Sequence, residues 1–245
     1  MSFLNKNDFN KSTSLLAAIL TIVSVIYGML TDLNLLIIGL TIGLVYFIIY
    51  CIIYFLNKLN DPYKFTITAS ELCIDLLDET GSNAKITKTH TIKAKKDNLS
   101  KITDIFHADG TIDTENFLVS PGTGKISKKA GAYILETSLN RPYHRNEVVD
   151  RTIELNFIDT FTKRNEWWDV SPLHPIEAQK IKIKFPRNRP CQSYEIQKIE
   201  GTYAAPYKLN SDLYPGEDKR SILVVDFPPI LDMNKKNEYR ISWIW

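Results

Sequence analysis

The stretch that dominates the expected fold is STSLLAAILTIVSVIYGMLTDLNLLIIGLTIGLVYFIIYCIIYFLN, from Ser12 to Asn57. Its one formally charged residue, Asp32, divides it into two uncharged runs, Ser12–Thr31 and Leu33–Asn57. At a helical rise of about 1.5 Å per residue, each run reaches roughly 30 Å, which is the thickness of a bilayer's hydrocarbon core. The pattern therefore predicts a hairpin of two transmembrane helices over 12–57, with a tight turn at Thr31–Asn34.

Two other interpretations of these runs remain open. Lys6 and Lys11 precede the first run, as in a secretory signal peptide, although no small-x-small cleavage site stands before the second run. Both runs could instead form a helical hairpin inside a soluble core. Runs this long and this uniformly apolar are uncommon in small soluble cores.

The charges around the runs predict an orientation. Lys6 and Lys11 lie before the first run, Lys58 and Lys64 follow the second, and the short loop between the runs carries Asp32 without Lys or Arg. By the positive-inside rule, both termini and everything after the hairpin are expected in the cytoplasm. The predicted location is the bacterial inner membrane, with a multi-pass topology and the lipid bilayer as a partner.

Two glycines four residues apart, Gly39 and Gly43, lie in the second run. Such a pair forms a flat strip that another helix can approach closely. One interpretation is that the strip seats the first helix of the hairpin against the second. The other is helix association between copies of the chain, which predicts a homo-oligomer.

The residue pattern of the chain changes from Tyr63 onward. β-branched and aromatic residues alternate with polar ones, and turn residues recur at short intervals, which is typical of β-strands. About ten strands with short links predict an all-β antiparallel barrel or sandwich over 64–245. It would follow a cytoplasmic segment 1–11, the hairpin and a short linker 58–63. Within it, Ile102–Phe106 and Thr111–Val119 flank Asp109-Gly110 and predict a hairpin.

The last predicted strand, Glu238–Trp245, is strongly one-sided. Tyr239, Ile241, Trp243 and Trp245 alternate with more polar neighbours and so share one face of an extended chain. A strand this apolar on one side is expected to pair on both edges inside a sheet and to bury that face.

The motifs that would indicate catalysis are missing. Ser120–Ile126 resembles a phosphate-binding loop, but its first glycine is absent and Ile126 stands where a Ser or Thr must bind Mg²⁺. The four histidines and three cysteines are scattered without metal-ligand spacing. A net charge of +2 argues against binding to a DNA or RNA duplex. We therefore expect no enzyme, no metal and no cofactor.

A set of arginines and aromatic residues suggests a binding site. Arginine forks hold phosphates through paired hydrogen bonds, and aromatic rings stack on bases. Loops at the end of a β scaffold are common binding places. A nucleotide-like anion would suit such a set, although Arg and Tyr are also ordinary loop residues and Trp168 could be core. The candidate ligand-binding residues are Arg141, Tyr143, Arg145, Trp168, Arg187 and Arg189.

Two apolar helices, a short linker and a β-rich domain, in that order, resemble a family of bacterial anti-phage effectors. These are the two-helix β-barrel effectors of cyclic-oligonucleotide signalling, of the CBASS type and its relatives. The resemblance implies a β domain that senses a cyclic di- or oligonucleotide. It also implies helices that oligomerise and disrupt the membrane. The alternative hypothesis is a membrane-tethered, β-rich protein-interaction module without a small-molecule ligand.

Overall fold

The structure, a computed structural model, describes residues 19–23, 26–27, 33–59, 63–216, 218–233 and 238–245. The chain divides into two compact units, Met1–Pro62 and Tyr63–Trp245. The first unit contains the described helical residues. The second contains the described strands and is the unit in which the candidate site lies.

In the first unit, residues 19–23 and 26–27 are helical, and helix α1 runs over Leu33–Leu59. No helix in the described parts of the chain combines the length and the apolar character that crossing a membrane requires. This finding overturns the predicted transmembrane hairpin over 12–57 and, with it, the predicted multi-pass location in the inner membrane. The predicted segment 1–11, and Thr31 and Asp32 of the predicted turn, lie outside the described residues.

The described residues of the second unit form fifteen strands. Their bounds are β1 Phe65–Leu76, β2 Asn83–Ala94, β3 Leu99–Phe106, β4 Thr111–Ile112, β5 Leu118–Ser120, β6 Thr123–Lys129, β7 Ala132–Tyr143, β8 Val148–Ile158, β9 Asn165–Val170, β10 Gln179–Lys184, β11 Ser193–Glu200, β12 Tyr203–Pro206, β13 Asn210–Pro215, β14 Ser221–Phe227 and β15 Glu238–Ile244. Over the described part of the chain, the protein is therefore mostly β.

Among the described strands, three sheets are formed. The large sheet has the order β13-β14-β10-β1-β2-β8-β4, and β5 also pairs with β8. A four-stranded sheet has the order β12-β11-β15-β9, and a three-stranded sheet has the order β3-β7-β6. Strands β1 and β10 run parallel, whereas their other neighbours in the large sheet are antiparallel. The prediction of an antiparallel barrel or sandwich is therefore wrong, because the large sheet is open and mixed.

Alternation along the strands explains which side chains face the core. In β2, Ile86, Ile92 and Ala94 are buried, while Thr89 on the opposite face is exposed. The one-sided last strand behaves as predicted. It pairs with β11 on one edge and β9 on the other, and its apolar face, which includes Trp243, is buried.

The predicted hairpin between Ile102–Phe106 and Thr111–Val119 is wrong. The first segment lies in β3, which pairs with β7 of the three-stranded sheet. The second contributes β4 and β5, which both pair with β8 of the large sheet. Neighbours in sequence thus join different sheets.

The buried apolar side chains form two clusters. The larger cluster joins the large sheet to both smaller sheets and includes Ile74, Leu155 and Trp243. The smaller cluster lies toward the start of β1 and includes Phe65 and Leu99. Burying a side chain of this size contributes about 1.5–3 kcal/mol, so the clusters supply most of the driving force for folding.

Candidate ligand-binding site

A layer of polar side chains, here called the polar belt, separates the two apolar clusters. In β8, for example, Val149 belongs to the smaller cluster and Ile153 to the larger one, and buried Arg151 lies between them. Polar residues occupy inward-facing positions in the same way on five further strands, β1, β2, β3, β7 and β10. The members of the polar belt are Ser70, Lys88, His90, Asp104, Thr137, Arg151 and Gln179.

Four of these residues form a continuous row across the large sheet. Gln179 of β10 lies directly opposite Ser70 of β1, Ser70 opposite His90 of β2, and His90 opposite Arg151 of β8. Directly opposed residues of neighbouring strands project to the same face, with Cβ atoms about 5 Å apart. The strand register therefore brings together residues that are far apart in the sequence.

A buried ion pair joins this row to the three-stranded sheet. Arg151 Nη1 donates to Asp104 Oδ2 at 2.5 Å, and Arg151 Nη2 donates to the hydroxyl of Thr137. Lys88 Nζ donates to the other carboxylate oxygen of Asp104 at 3.0 Å. Burial by itself raises the pKa of Asp104, but the positive charges of Lys88 and Arg151 outweigh it and hold that pKa well below its usual range.

Two histidines at the belt are held in the neutral form. Burial lowers the pKa of His90 well below its ordinary value, and the charge of Lys88 lowers it further. Burial also lowers the pKa of His174, which lies in the loop after β9. A neutral imidazole offers one N–H donor and one acceptor, so both side chains can take part in hydrogen bonds to an uncharged or anionic partner.

Buried polar atoms without a hydrogen-bond partner in the protein are concentrated at the polar belt. Among the described residues there are six such side-chain atoms, and five belong to the belt or to adjacent His174. Buried polar groups are satisfied in the great majority of cases, because leaving one unpaired costs about 1–3 kcal/mol. The five atoms are Ser70 Oγ, His90 Nε2, Arg151 Nε, His174 Nδ1 and Gln179 Oε1.

Four of these five side chains line a cavity of about 110 Å³ between the large sheet, β3 and the loop after β9. Its apolar walls include Leu72, Phe106 and Ile176. The loop residues Ser171 and Leu173 are exposed and form its rim. Since one water occupies about 10–15 Å³ of such a cavity volume, the cavity can hold several waters or one small organic molecule.

One sequence-predicted ligand residue lies at this cavity. Trp168 lines it and is half-buried, with its ring about 6 Å from those of Phe157 (6.3 Å) and Phe161 (6.5 Å). The same ring also borders a more open cleft of about 520 Å³ beside Trp167. That cleft is lined by the carboxylates of Asp109, Glu166 and Asp169, and burial raises the pKa of Glu166.

Arg141 and Tyr143 lie at the end of β7 and Arg145 in the turn that follows it, near the start of β1. Exposed Arg141 donates to both carboxylate oxygens of Glu147, at 3.0 and 3.4 Å, and covers the ring of Tyr143. Tyr143 itself is buried in the smaller apolar cluster. The backbone N–H of Arg145 donates to Asp97 at 2.9 Å, just after β2 ends.

The loop with Arg187 and Arg189 lies at the other end of the β1–β2 hairpin. Arg189 donates to the backbone oxygen of Glu79 at 2.9 Å and stacks on Trp245 with its guanidinium carbon 3.9 Å from the ring centre. Arg187 is exposed. Because β1 separates the two loops by about 35 Å, the four arginines cannot contact one small ligand together.

The glycines predicted for helix association lie on α1, in the first unit. Gly39 is buried. A Cβ at Gly43 would lie 2.7 Å from Thr21 Oγ1, so the helical residues around Thr21 approach Gly43 closely. This contact lies within one chain and corresponds to the first of the two interpretations of the glycine pair.

Within the residues that the structure describes, no group of three or more His, Cys, Asp or Glu side chains is arranged to hold a metal ion. The described cysteines Cys51, Cys73 and Cys191 are free thiols. Burial raises the pKa of Cys191 to about 11, so this thiol is a poor nucleophile at neutral pH. The chemistry of the polar belt is therefore that of hydrogen-bonding and charged groups.

Neither a protein-family profile nor a curated protein sequence matches this chain. Among solved structures, it is similar to an M1 zinc metallopeptidase from Deinococcus radiodurans, with a TM-score of 0.46 and 11% identity over 74% of this chain and 42% of that one. A two-domain M1 zinc metallopeptidase mutant bound to L-tryptophan gives a TM-score of 0.47 and 10% identity, over 74% and 43%. The chain thus spans less than half the length of these structures.

These solved structures are peptidases, whereas the sequence had led us to expect no enzyme. A similarity this distant assigns no activity, metal or substrate to the chain. The candidate site therefore has to be judged from its own residues.

Sequence reasoning missed every member of the polar belt. A signal was present, since a polar residue interrupts the inward-facing apolar series of several strands. In β3, Asp104 stands between Ile102 and Phe106, and in β7, Thr137 stands between Leu135 and Leu139. Arg151 interrupts β8 in the same way. Aligning these interruptions requires the strand register, which a single sequence does not supply.

Proposed function

We propose that the unit Tyr63–Trp245 is a sensor that binds a small polar molecule in the cavity of the polar belt. The observation that carries the proposal is the convergence of unpartnered buried polar atoms on one cavity. Ser70 and His90 are 5% and 4% exposed, and each has a polar side-chain atom without a partner in the protein. A ligand that pairs with these atoms removes a desolvation cost that the fold otherwise carries.

The loop after β9 supplies a route from binding to response. His174 and exposed Leu173 belong to this loop and line the cavity. A ligand that contacts both the large sheet and the loop binds one arrangement of the loop better than others. Ligand binding therefore shifts the loop's conformational equilibrium by the difference in affinity between those arrangements.

A cyclic di- or oligonucleotide, with anti-phage defence as the output, stays a prediction from the sequence. Such a molecule is several times larger than the cavity, so its binding there requires Ser171–Pro175 to move outward. The separation of the two arginine loops also removes the joint phosphate site expected from the sequence. Cyclic dinucleotides therefore belong in the ligand panel as one class among several.

The test is a thermal-shift and calorimetry screen of the full chain with a panel of small molecules. The panel contains short carboxylates, inorganic phosphate, neutral amides and polyols, and cyclic dinucleotides. A ligand at about 100 times its Kd stabilises the folded state by about 2.7 kcal/mol, which raises Tm by roughly 5–10 °C for a unit of this size. We expect at least one class to produce such a shift.

Two variants locate the binding. Ser70→Leu places apolar bulk in the cavity and is expected to abolish both the shift and the calorimetric signal. Thr89→Val, on the exposed face of β2 one residue before His90, is the matched control and is expected to bind like the parent chain. If Ser70→Leu binds as well as the parent, the cavity is not the site. If no class binds, the protein-interaction alternative is favoured.

A further inference from the structure

The charges around the cavity do not balance. Among the described residues, three cations and two carboxylates lie at the cavity or pair directly with a residue that lines it. Lys88 and Arg151 both pair with Asp104, and Arg240 pairs with Asp169 through two hydrogen bonds of 2.7 and 2.8 Å. Both histidines are neutral. One positive charge is therefore in excess.

This excess positive charge lies in a largely buried part of the protein, where a charge is costly in free energy. Arg151 has no exposed side-chain surface, and the side chains of Asp104 and Lys88 are 7% and 23% exposed. A buried charge is destabilising unless an opposite charge and hydrogen bonds compensate it. Lys88 has three N–H donors, and one of them is used by Asp104. Its remaining donors are available at the cavity wall.

Several polar groups at the cavity can donate hydrogen bonds. The Ser70 hydroxyl and one N–H each of His90 and His174 can donate, in addition to Lys88. The amide of Gln179 can present either its oxygen or its NH₂ group. A set of donors beside a surplus cation matches an oxyanion, which accepts hydrogen bonds only.

Apolar side chains also line the cavity. Leu72, Ile105, Phe106 and Ile176 contribute hydrocarbon surface, and Trp168 contributes an aromatic ring. A fully hydrated inorganic anion gains nothing from such a surface. An organic acid gains hydrophobic contact for its carbon portion while its charged end meets the donors.

We infer that the ligand of the polar belt is a small monocarboxylate, whose carboxylate neutralises the excess charge at Lys88 and whose carbon portion packs against the apolar wall. This inference rests on the proposed sensing function and specifies its ligand class. A single carboxylate brings the charge count of the site to zero, whereas a phosphate or dicarboxylate leaves an excess of negative charge. The cavity volume of about 110 Å³ limits the ligand to roughly seven to eleven non-hydrogen atoms by comparison with waters.

The experiment compares matched pairs of probes that differ in charge and share a shape: acetate with acetamide, butyrate with butyramide, and benzoate with benzamide. Calorimetric titrations of the full chain are expected to give at least a ten-fold lower Kd for one or more carboxylates than for the matching amides. Lys88→Met is expected to remove this preference, because it removes the excess charge. Lys88→Arg keeps the charge and is expected to retain the preference.

Lys85→Met is the control for a charge change on the same strand. Lys85 does not line the cavity, and its Nζ forms an ion pair of 2.8 Å with Glu154. It is expected to leave the preference unchanged. Thermal unfolding of each variant shows that it is folded, and Ser70→Leu shows that binding occurs in the cavity.

The outcomes separate the ligand class from the sensing function. Equal binding of amides and carboxylates, abolished by Ser70→Leu, overturns the carboxylate inference and leaves the sensing function in place. Binding of another class of molecule in the cavity, with no carboxylate binding, also overturns the carboxylate inference and leaves the sensing function in place. A carboxylate preference that survives Lys88→Met also overturns the inference. If no class of molecule binds, both the carboxylate inference and the proposed sensing function are rejected.

Discussion

Arg151 of β8 and Asp104 of β3 form an ion pair across the interface between the large sheet and the three-stranded sheet, with 0% and 7% of their side-chain surfaces exposed. The pair lies in the layer that divides the apolar core. Its partner Thr137 is also completely buried. The energetics of this layer can therefore be tested independently of any ligand.

Removing one member of the ion pair should be strongly destabilising. Arg151→Met leaves Asp104 paired with Lys88 alone, and we expect a loss of about 3–5 kcal/mol in the free energy of unfolding. Urea denaturation measures the change. Arg141→Met is the matched control, because it removes the arginine of an exposed ion pair, Arg141 with Glu147. It should change the free energy of unfolding little.

The double variant Arg151→Met with Asp104→Leu tests whether the cost arises from an isolated charge. Because both charged groups are then removed, we expect recovery of a large part of the stability lost in the single variant. No recovery would show that the loss in Arg151→Met comes from packing, or that Lys88 without Asp104 costs as much as Asp104 without Arg151.

Two buried hydroxyls in the polar belt should respond in opposite ways to deletion. Thr137 accepts a hydrogen bond from Arg151, so Thr137→Val leaves a buried donor unpaired and should cost about 1–3 kcal/mol. Ser70 Oγ has no partner in the protein, so Ser70→Ala should be neutral or stabilising when no ligand is added. Urea denaturation of both variants provides the comparison. Equal losses in the two would contradict this account of the belt.

The neutral histidines predict a loss of stability on mild acidification. The pKa of His90 is lower in the folded state than the unfolded value of about 6.5, so protons bind preferentially to the unfolded chain below that pH. Stability is therefore full above pH 6.5 and falls as the pH drops toward the folded pKa. Between pH 7.5 and 5.5, His90 should account for a loss on the order of 1 kcal/mol.

Urea denaturation at pH 7.5, 6.5 and 5.5 checks this prediction. His90→Gln should flatten the dependence on pH, while His107→Gln, at an exposed position, should leave it as it is in the parent chain. The pH range lies above the region in which carboxylates such as Asp104 titrate, so the histidines dominate the slope. An unchanged slope in His90→Gln would argue against a neutral buried His90.

Arg189 is expected to act as a structural residue. Its guanidinium donates to the backbone oxygens of Glu79 and Lys163, at 2.9 and 3.1 Å, and stacks on Trp245. Arg189→Met should lower the free energy of unfolding by about 1–3 kcal/mol, because two carbonyls lose a charged donor and the ring loses a cation. Arg187→Met, two residues away at an exposed position, is the control. Urea denaturation of the two variants measures the difference, and equal losses of stability would exclude a structural role for Arg189.

The wrong predictions share a physical origin. The hairpin expected from Ile102–Phe106 and Thr111–Val119 relied on proximity in sequence, whereas the strands pair with β7 and β8. The candidate ligand residues were grouped by residue type, and β1 holds the two arginine loops at opposite ends. The apolar runs in 12–57 were judged by length and composition, and the described helices do not meet the requirement for spanning.

The sequence by itself determined the local structure of the β unit. Period-two alternation placed the strands, and it identified the buried face of β15 because side-chain direction along an extended chain follows from local geometry. The tertiary structure alone decided that β1 and β10 run parallel and that Gln179, Ser70, His90 and Arg151 form one row. Pairing register depends on contacts between residues up to 109 positions apart, as for Ser70 and Gln179. Such contacts leave no trace in the local pattern of a single chain.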